Sequence, residues 1–462
     1  MENKVKPFLL RLFLLYFLFQ CVPLDPKYYV GLARLPLLKF RYQDFFVLAH
    51  YSPSFFGRVQ GFGDAGVVAL LALVAAIVWT VVAARKTVAG TTGTAATGTL
   101  SDTAEEAQPA STARVSYWVR AIVRYRLAIA LLAYGFIKVF PLQSPLPSLG
   151  NLNTHYGDFT RWKLFSLSLG IVPSYESFLG GVEIAAALLL LFRKTASIGA
   201  LIVVFFTGNV LMSNIAYEGG ETVYCAYLIS LAFFVLAFDA QRLFRLLVLQ
   251  EPTEPNRFRV VLLKPWQRYG RLGIKAAVFV FFVVLLGIRT SWGYHHDPYQ
   301  LPGTKGLSAA AGVYNVSLFR LGRDTLPYSP TDSVRWNNVV FEPWATVSIA
   351  AQRPATIDPA NTENIAATSD LEKTYESAGT NGRRYYSYGL DTVARTLTLQ
   401  NKNAADSTDK WVLRYTRPDS VHLVLSGLGP QRDSVYVVLD RIDKKYLLEE
   451  ATKIGRTKTL KL

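Results

Sequence analysis

Long apolar runs separated by short basic turns fill the first two thirds of the chain. Seven of them read as membrane-spanning helices: Phe8 to Phe19, Asp64 to Ala84, a third ending near Phe140, Glu176 to Phe192, Ala196 to Met212, Tyr224 to Phe238 and Gly273 to Trp292. Apart from the shorter first run, each has about the 20 residues that a 30 Å hydrocarbon core demands. Phe8 to Phe19, behind Lys4, Lys6 and Arg11, has the outline of a secretory signal, but no small-residue cleavage site follows it. It is therefore read as an uncleaved first span. Pro23, Pro26 and Pro36 break any helix beyond it, and the aromatic stretch to Gly63 suits a membrane interface.

From about Leu307 the period changes from helical to alternating. Val313 to Phe319, Val334 to Phe341, Thr346 to Ala350, Arg384 to Tyr388, Thr396 to Gln400, Trp411 to Tyr415, Val421 to Leu425 and Ser434 to Leu439 are short, β-branched or aromatic runs. Turn residues such as Leu321-Gly322-Arg323-Asp324 and Arg417-Pro418-Asp419-Ser420 separate them. Such spacing predicts a small antiparallel β-barrel or sandwich. The expected fold is thus a multi-span α-helical membrane protein with about seven transmembrane helices and a C-terminal antiparallel β domain. Its divisions are 1–85, two spans with an aromatic loop; 86–114, a Thr/Ala/Gly/Ser linker; 115–240, a four-helix bundle; 241–272, a basic loop; 273–292, the seventh span; and 307–462, the β domain.

Charge then orients the spans. The net charge of +16 is concentrated in residues 1–292, which hold 28 Lys and Arg against 15 Asp and Glu, whereas 293–462 hold 21 against 18. The basic connections, Arg85-Lys86, Arg193-Lys194 and the eight cations from Arg242 to Lys275, all fall on one side of a seven-span path. By the positive-inside bias that side is cytoplasmic, which sends the β domain outside. The cations are dispersed among loops instead of forming a basic face on a soluble domain, so the expected partner is a lipid bilayer and no nucleic acid.

Candidate chemistry is sparse. Cys21 and Cys225 stand alone, no Cys-x-x-Cys occurs, and His50, His155, His295, His296 and His422 form no ligand spacing. No complete catalytic, metal or thiol centre is visible. What stands out is a charge inside each of two apolar helices, Lys138 and Glu183, because a charged residue at bilayer depth costs at least about 2.5 kcal/mol and commonly marks function. On the alternating path Lys138, Glu183 and Asn209 share the outer half of the membrane. Gly180, Glu183 and Ala187 fall at i, i+3 and i+7, a small-residue stripe that lets another helix approach closely. A Lys138–Glu183 ion pair follows as the expectation, since pairing is the cheapest way to keep both ionised. The competing reading makes Lys138 a snorkelling lysine, Glu183 a packing residue and Asn209 helix-to-helix glue.

The residues Tyr134-Gly135-Phe136-Ile137-Lys138, Gly180-Gly181-Val182-Glu183 and Leu188 to Lys194, within about Val115 to Ala240, resemble the DoxX family of four-helix membrane proteins. The added spans and the β tail resemble long DoxX-type proteins of Bacteroidetes, whose tail is similar to a lipocalin, although Tyr314 stands where lipocalins keep a Trp. That resemblance implies an inner-membrane protein with a cytoplasmic N-terminus and a periplasmic β domain. It also implies an accessory or quinone-handling subunit of a redox system, working with a redox protein partner. In that reading Glu183 accepts a proton, Lys138 holds its charge, and Asn209, Tyr134 and His155 contact the cofactor, a quinone. The alternative is a non-enzymatic, membrane-anchored binding or assembly protein whose β domain holds a lipophilic ligand or a partner.

Overall fold

The computed structural model describes residues 2–35, 40–56, 61–91, 110–254, 264–297, 300–329, 331–352, 357–358, 367, 369–403 and 408–454. The helices are α1 (Glu2–Cys21), α2 (Pro26–Ala33), α3 (Tyr42–Ala49), α4 (Phe62–Thr91), α5 (Ala110–Val139), α6 (Leu149–Leu152), α7 (Arg161–Gly170), α8 (Pro173–Leu191), α9 (Ala196–Ala216), α10 (Thr222–Ala237), α11 (Ala240–Leu247), α12 (Pro265–Phe279), α13 (Leu286–His296) and α14 (Leu447–Ile454). A π-helical stretch, Val280–Leu285, joins α12 to α13. Two compact units result, Met1–Phe140 with Ser177–Gly293, and Pro141–Glu176 with Tyr294–Leu462.

Among the described residues five helices are long and apolar enough to cross a membrane, or six if α10 and α11, bent by 76°, count as one span. The remaining one of the seven expected spans is α5. It has the length but carries Arg120, Arg124, Arg126 and Lys138. Burial explains how it can. Leu127, Ala128, Ala130, Leu131, Leu132 and Ala133 are all at most 2% exposed, so consecutive positions on every side of α5 meet protein. A helix enclosed in this way answers to its neighbours and not to lipid.

Part of the aromatic stretch after α1 packs against the bundle. Short helix α3 folds into the bundle with Tyr42, Phe45 and Ala49 buried, and the Phe45 ring meets Phe281 at 4.6 Å. Residues 92–109 of the expected linker, and Arg257 and Arg259 of the basic loop, lie outside the described residues.

The second unit is built on strands β1 (Gly312–Leu321), β2 (Asp324–Thr325), β3 (Asn338–Phe341), β4 (Thr346–Ala350), β5 (Arg383–Asp391), β6 (Thr396–Asn401), β7 (Lys410–Thr416), β8 (His422–Leu428) and β9 (Ser434–Ile442). All neighbours are antiparallel, and β1 pairs with β9, so eight strands close into a barrel while short β2 extends only the end of β1. Closure removes the unpaired sheet edges that a sandwich would leave. Each of the eight alternating runs of the sequence contributes a strand, though only Asn338–Phe341 of the run beginning at Val334 does so.

Inward positions fill the barrel: Tyr314, Phe319, Trp336, Phe341, Tyr386 and Tyr388 belong to one hydrophobic cluster. Tyr314 turns its hydroxyl to the Ala310 carbonyl at 2.8 Å. On β4 and β5 the outward positions Thr346, Ser348, Arg383 and Tyr385 are buried as well. The covering comes from Pro141–Glu176, the long connection expected to belong to the helical bundle. Asn151 Nδ2 donates to the Glu376 carbonyl at 2.9 Å and to the Tyr385 hydroxyl at 3.2 Å, and Arg383 donates to the Asn153 carbonyl. The β unit therefore includes this segment, and the division expected at residue 307 moves accordingly.

Candidate functional site

Two glycines set the geometry in the helical unit. A Cβ placed on Gly180 would lie 2.5 Å from the Gly135 carbonyl oxygen, and one on Gly135 would lie 2.6 Å from Ile184. Helices α5 and α8 therefore touch backbone to backbone, as small residues permit. Lys138 lies three residues beyond Gly135 and Glu183 three beyond Gly180; the helices run antiparallel, so the two residues flank the glycine contact from opposite sides and their side chains meet across it. Lys138 Nζ donates to Glu183 Oε1 at 2.5 Å, with side chains 11% and 6% exposed. The other carboxylate oxygen, Glu183 Oε2, is buried without a hydrogen-bond partner.

One turn before Lys138, Tyr134 places its ring 5.5 Å from the ammonium. The ring also joins an aromatic group, with Phe46 at 5.0 Å, His50 at 5.6 Å and Tyr224 at 5.8 Å between centroids. His50 Nε2 lies 3.4 Å from Glu221 Oε2, and Tyr134 is within electrostatic reach of the same carboxylate. Polar groups thus run from Glu183 and Lys138 past Tyr134 to Glu221 and His50. Cys225 lies within electrostatic reach of Lys138, Glu183 and Glu221. Both Cys225 and Cys21 are unpaired and buried.

Arg126 supports this group from below. Its guanidinium donates from Nη1 to the Ala49 carbonyl and from Nη2 to the Tyr51 carbonyl, satisfying acceptors at and just beyond the C-terminal end of α3. It also stacks over Tyr51 at 5.7 Å. Arg126 thus ties the segment that carries His50 to α5, alongside the packing of Phe46 and His50 on Tyr134.

Of the residues expected to form the site, Lys138, Glu183 and Tyr134 come together. Asn209 does not join them: it is exposed on α9, on the face opposite buried Val203 and Thr207. His155 belongs to the β unit, where its side chain is 94% exposed beside Asp158 at 3.5 Å. His50, Glu221 and Arg126 are members that the sequence pattern does not single out. Among the described residues no group of three or more His, Cys, Asp or Glu could hold a metal ion. Comparison of the chain with protein-family models, with curated proteins and with solved structures finds no match.

Proposed function

We propose that the chain is a DoxX-like inner-membrane subunit of a redox system that handles a quinone at Glu183 and Lys138, with its N-terminus cytoplasmic and its β unit periplasmic. The observation that carries this reading is the partnerless Glu183 Oε2 beside a lysine-held Oε1. A buried acceptor of this kind fits a hydroxyl donor, and the rings of Tyr134, His50 and Tyr224 give the apolar, polarisable surroundings that a quinone head requires. A bound quinol supplies the electrons and the hydroxyl protons. Glu183 would take the first of the two protons at Oε2, the Lys138 ammonium keeping the carboxylate charged until then, and would pass it on before taking the second. Tyr134, Glu221 and His50 continue the line of groups able to pass a proton on. The electrons pass to a separate redox protein, the expected partner.

Small molecules extracted from the purified full-length protein test the reading. A quinone spectrum in that extract, lost in Glu183→Gln together with quinol-dependent respiration, is the expected result. An extract without quinone and a Glu183→Gln strain that respires normally would overturn it. The alternative, a lipophilic ligand inside the β-barrel, is opposed by the aromatic side chains that fill that interior.

A further inference from the structure

A cavity lies in the helical unit, about 21 Å before Lys138 along α5 at a rise of 1.5 Å per residue. Its volume is about 450 Å³, within the range of small-molecule pockets. One face of α5 lines it at helical spacing, with Tyr117, Arg120 and Arg124, and Arg193, Arg271 and Lys275 complete its polar wall. Among the described residues no acidic side chain lines it. Asp239 is engaged with Arg120 and with Ser197 Oγ, so it neutralises Arg120. The guanidinium groups of Arg193 and Arg271 both lie over the Tyr117 ring, at 5.9 and 6.0 Å, and Lys275 is within electrostatic reach of Arg271 and Arg124. Gathering these like charges is unfavourable unless an anion sits among them.

Two further observations point to a ligand. Arg124, a residue of the cavity wall, is 8% exposed, and its Nε is buried without a hydrogen-bond partner. The rest of the wall is apolar, with Leu10 and Phe13 of α1 and Phe238 after α10. Cations at one part of a pocket and hydrocarbon at another suit an amphiphile whose head is an anion. Guanidinium groups favour phosphate, which they bind through paired N–H donors.

We propose that this cavity binds the phosphate of an anionic membrane phospholipid, with Arg124, Arg271 and Lys275 on the headgroup and Leu10, Phe13 and Phe238 along the start of its chains. The assignment stands independently of any redox role for Glu183. Basic pockets between membrane helices hold lipid headgroups by this chemistry. Free inorganic phosphate offers the same charge without the chains.

The test uses the full-length protein in a neutral detergent, titrated in turn with dioleoyl phosphatidylglycerol, with dioleoyl phosphatidylcholine and with sodium phosphate. Bound lipid is counted by native mass spectrometry and the melting midpoint is followed in parallel. Phosphatidylglycerol is expected to bind in one-to-one ratio and to raise the midpoint, while phosphatidylcholine of the same chains does neither. Arg271→Gln and Lys275→Gln, which change partly or fully exposed residues and leave the fold intact, should each weaken phosphatidylglycerol binding roughly tenfold, the worth of one charge-assisted contact. Arg124→Gln should weaken it at least as much. Equal binding of the two lipids, or unchanged binding in Arg271→Gln and Lys275→Gln, would overturn the proposal. So would sodium phosphate reproducing the whole shift, which would assign the cavity to a soluble anion.

Discussion

The Glu342 carboxylate accepts the backbone N–H of Gly150 at 2.7 Å, and its other oxygen accepts that of Leu149 at 3.1 Å. These are the first two N–H groups of α6, which have no partner within their own helix. A carboxylate in the barrel unit thus completes a helix that the chain supplies some 190 residues earlier.

The position has a measurable pH signature. Burial pushes the Glu342 carboxyl up to about 7, helped by the neighbouring Glu376 and opposed by the two N–H groups. The folded protein therefore holds this proton where the unfolded chain, titrating near 4.5, has released it. Stability falls as pH rises from about 4.5 through about 7, by up to about 3 kcal/mol, and is flat above. Hydrogen exchange of residues 149–152 in the full-length protein should quicken over that interval. Glu342→Gln, which keeps an acceptor but cannot ionise, should abolish the dependence; an unchanged slope in that variant would assign it to another group.

A neighbouring pair predicts the cost of an uncompensated charge. Lys402 Nζ meets Glu376 Oε2 at 2.7 Å with both side chains fully buried, and Trp344 Nε1 donates to Oε1 at 2.7 Å. Lys402→Met leaves a buried carboxylate without its cation and should cost about 3 to 5 kcal/mol. Adding Glu376→Gln removes the charge and keeps the acceptor for Trp344, so the double variant should recover most of that loss. Denaturant titration of the three proteins by tryptophan fluorescence measures the difference.

How much of this was legible in the sequence depends on whether the signal was local. The depth shared by Lys138 and Glu183 follows from counting residues at a fixed helical rise, and Gly135 and Gly180 mark where backbones meet. Rotation about the axis was legible on α9 too. Ala196, Gly199, Ala200, Val203 and Thr207 recur at helical spacing and form the buried stripe, and Asn209, two residues past Thr207, lies about 200° around from it. Matching depth alone could not reveal that. The alternating runs of the tail predicted its strands, and only pairing of the first with the last decides between barrel and sandwich. His50 and Glu221 gave no such sign, because the fold that joins them spans 171 positions. The cover formed by Pro141–Glu176 was equally hidden, since its partners are more than 190 residues away.

The α5–α8 contact separates two adjacent glycines. A Cβ on Gly180 would meet the Gly135 oxygen and the Val139 nitrogen at 2.5 Å, whereas one on Gly181 would meet nothing within 4 Å. Gly180→Ala must push backbone away from backbone, at about 1 to 3 kcal/mol, and lengthen the Lys138–Glu183 hydrogen bond. Gly181→Ala should be neutral or slightly stabilising, because alanine is the better helix former. Melting midpoints of the two variants in detergent should differ by several degrees, and equal midpoints would show that the helices do not touch at Gly180.

Arg126 donates two hydrogen bonds to the end of α3 and the residues just beyond it. Its two N–H groups satisfy the Ala49 and Tyr51 carbonyls, and no water-facing route exists for those acceptors while α3 remains buried. Arg126→Met keeps the length of the side chain and removes both donors, at a cost of roughly 2 to 4 kcal/mol for two orphaned acceptors. The helical core around Leu127 and Leu131 does not use those bonds, so the loss should be local. Residues 42–51 should exchange their amides faster while α5 stays protected. Arg126→Lys retains the charge but presents a single ammonium where a forked pair of donors is needed, so its exchange rate should fall between those of the other two proteins. If both variants match the parent, α3 is held by its aromatic contacts, Phe45 against Phe281 foremost, and not by the guanidinium.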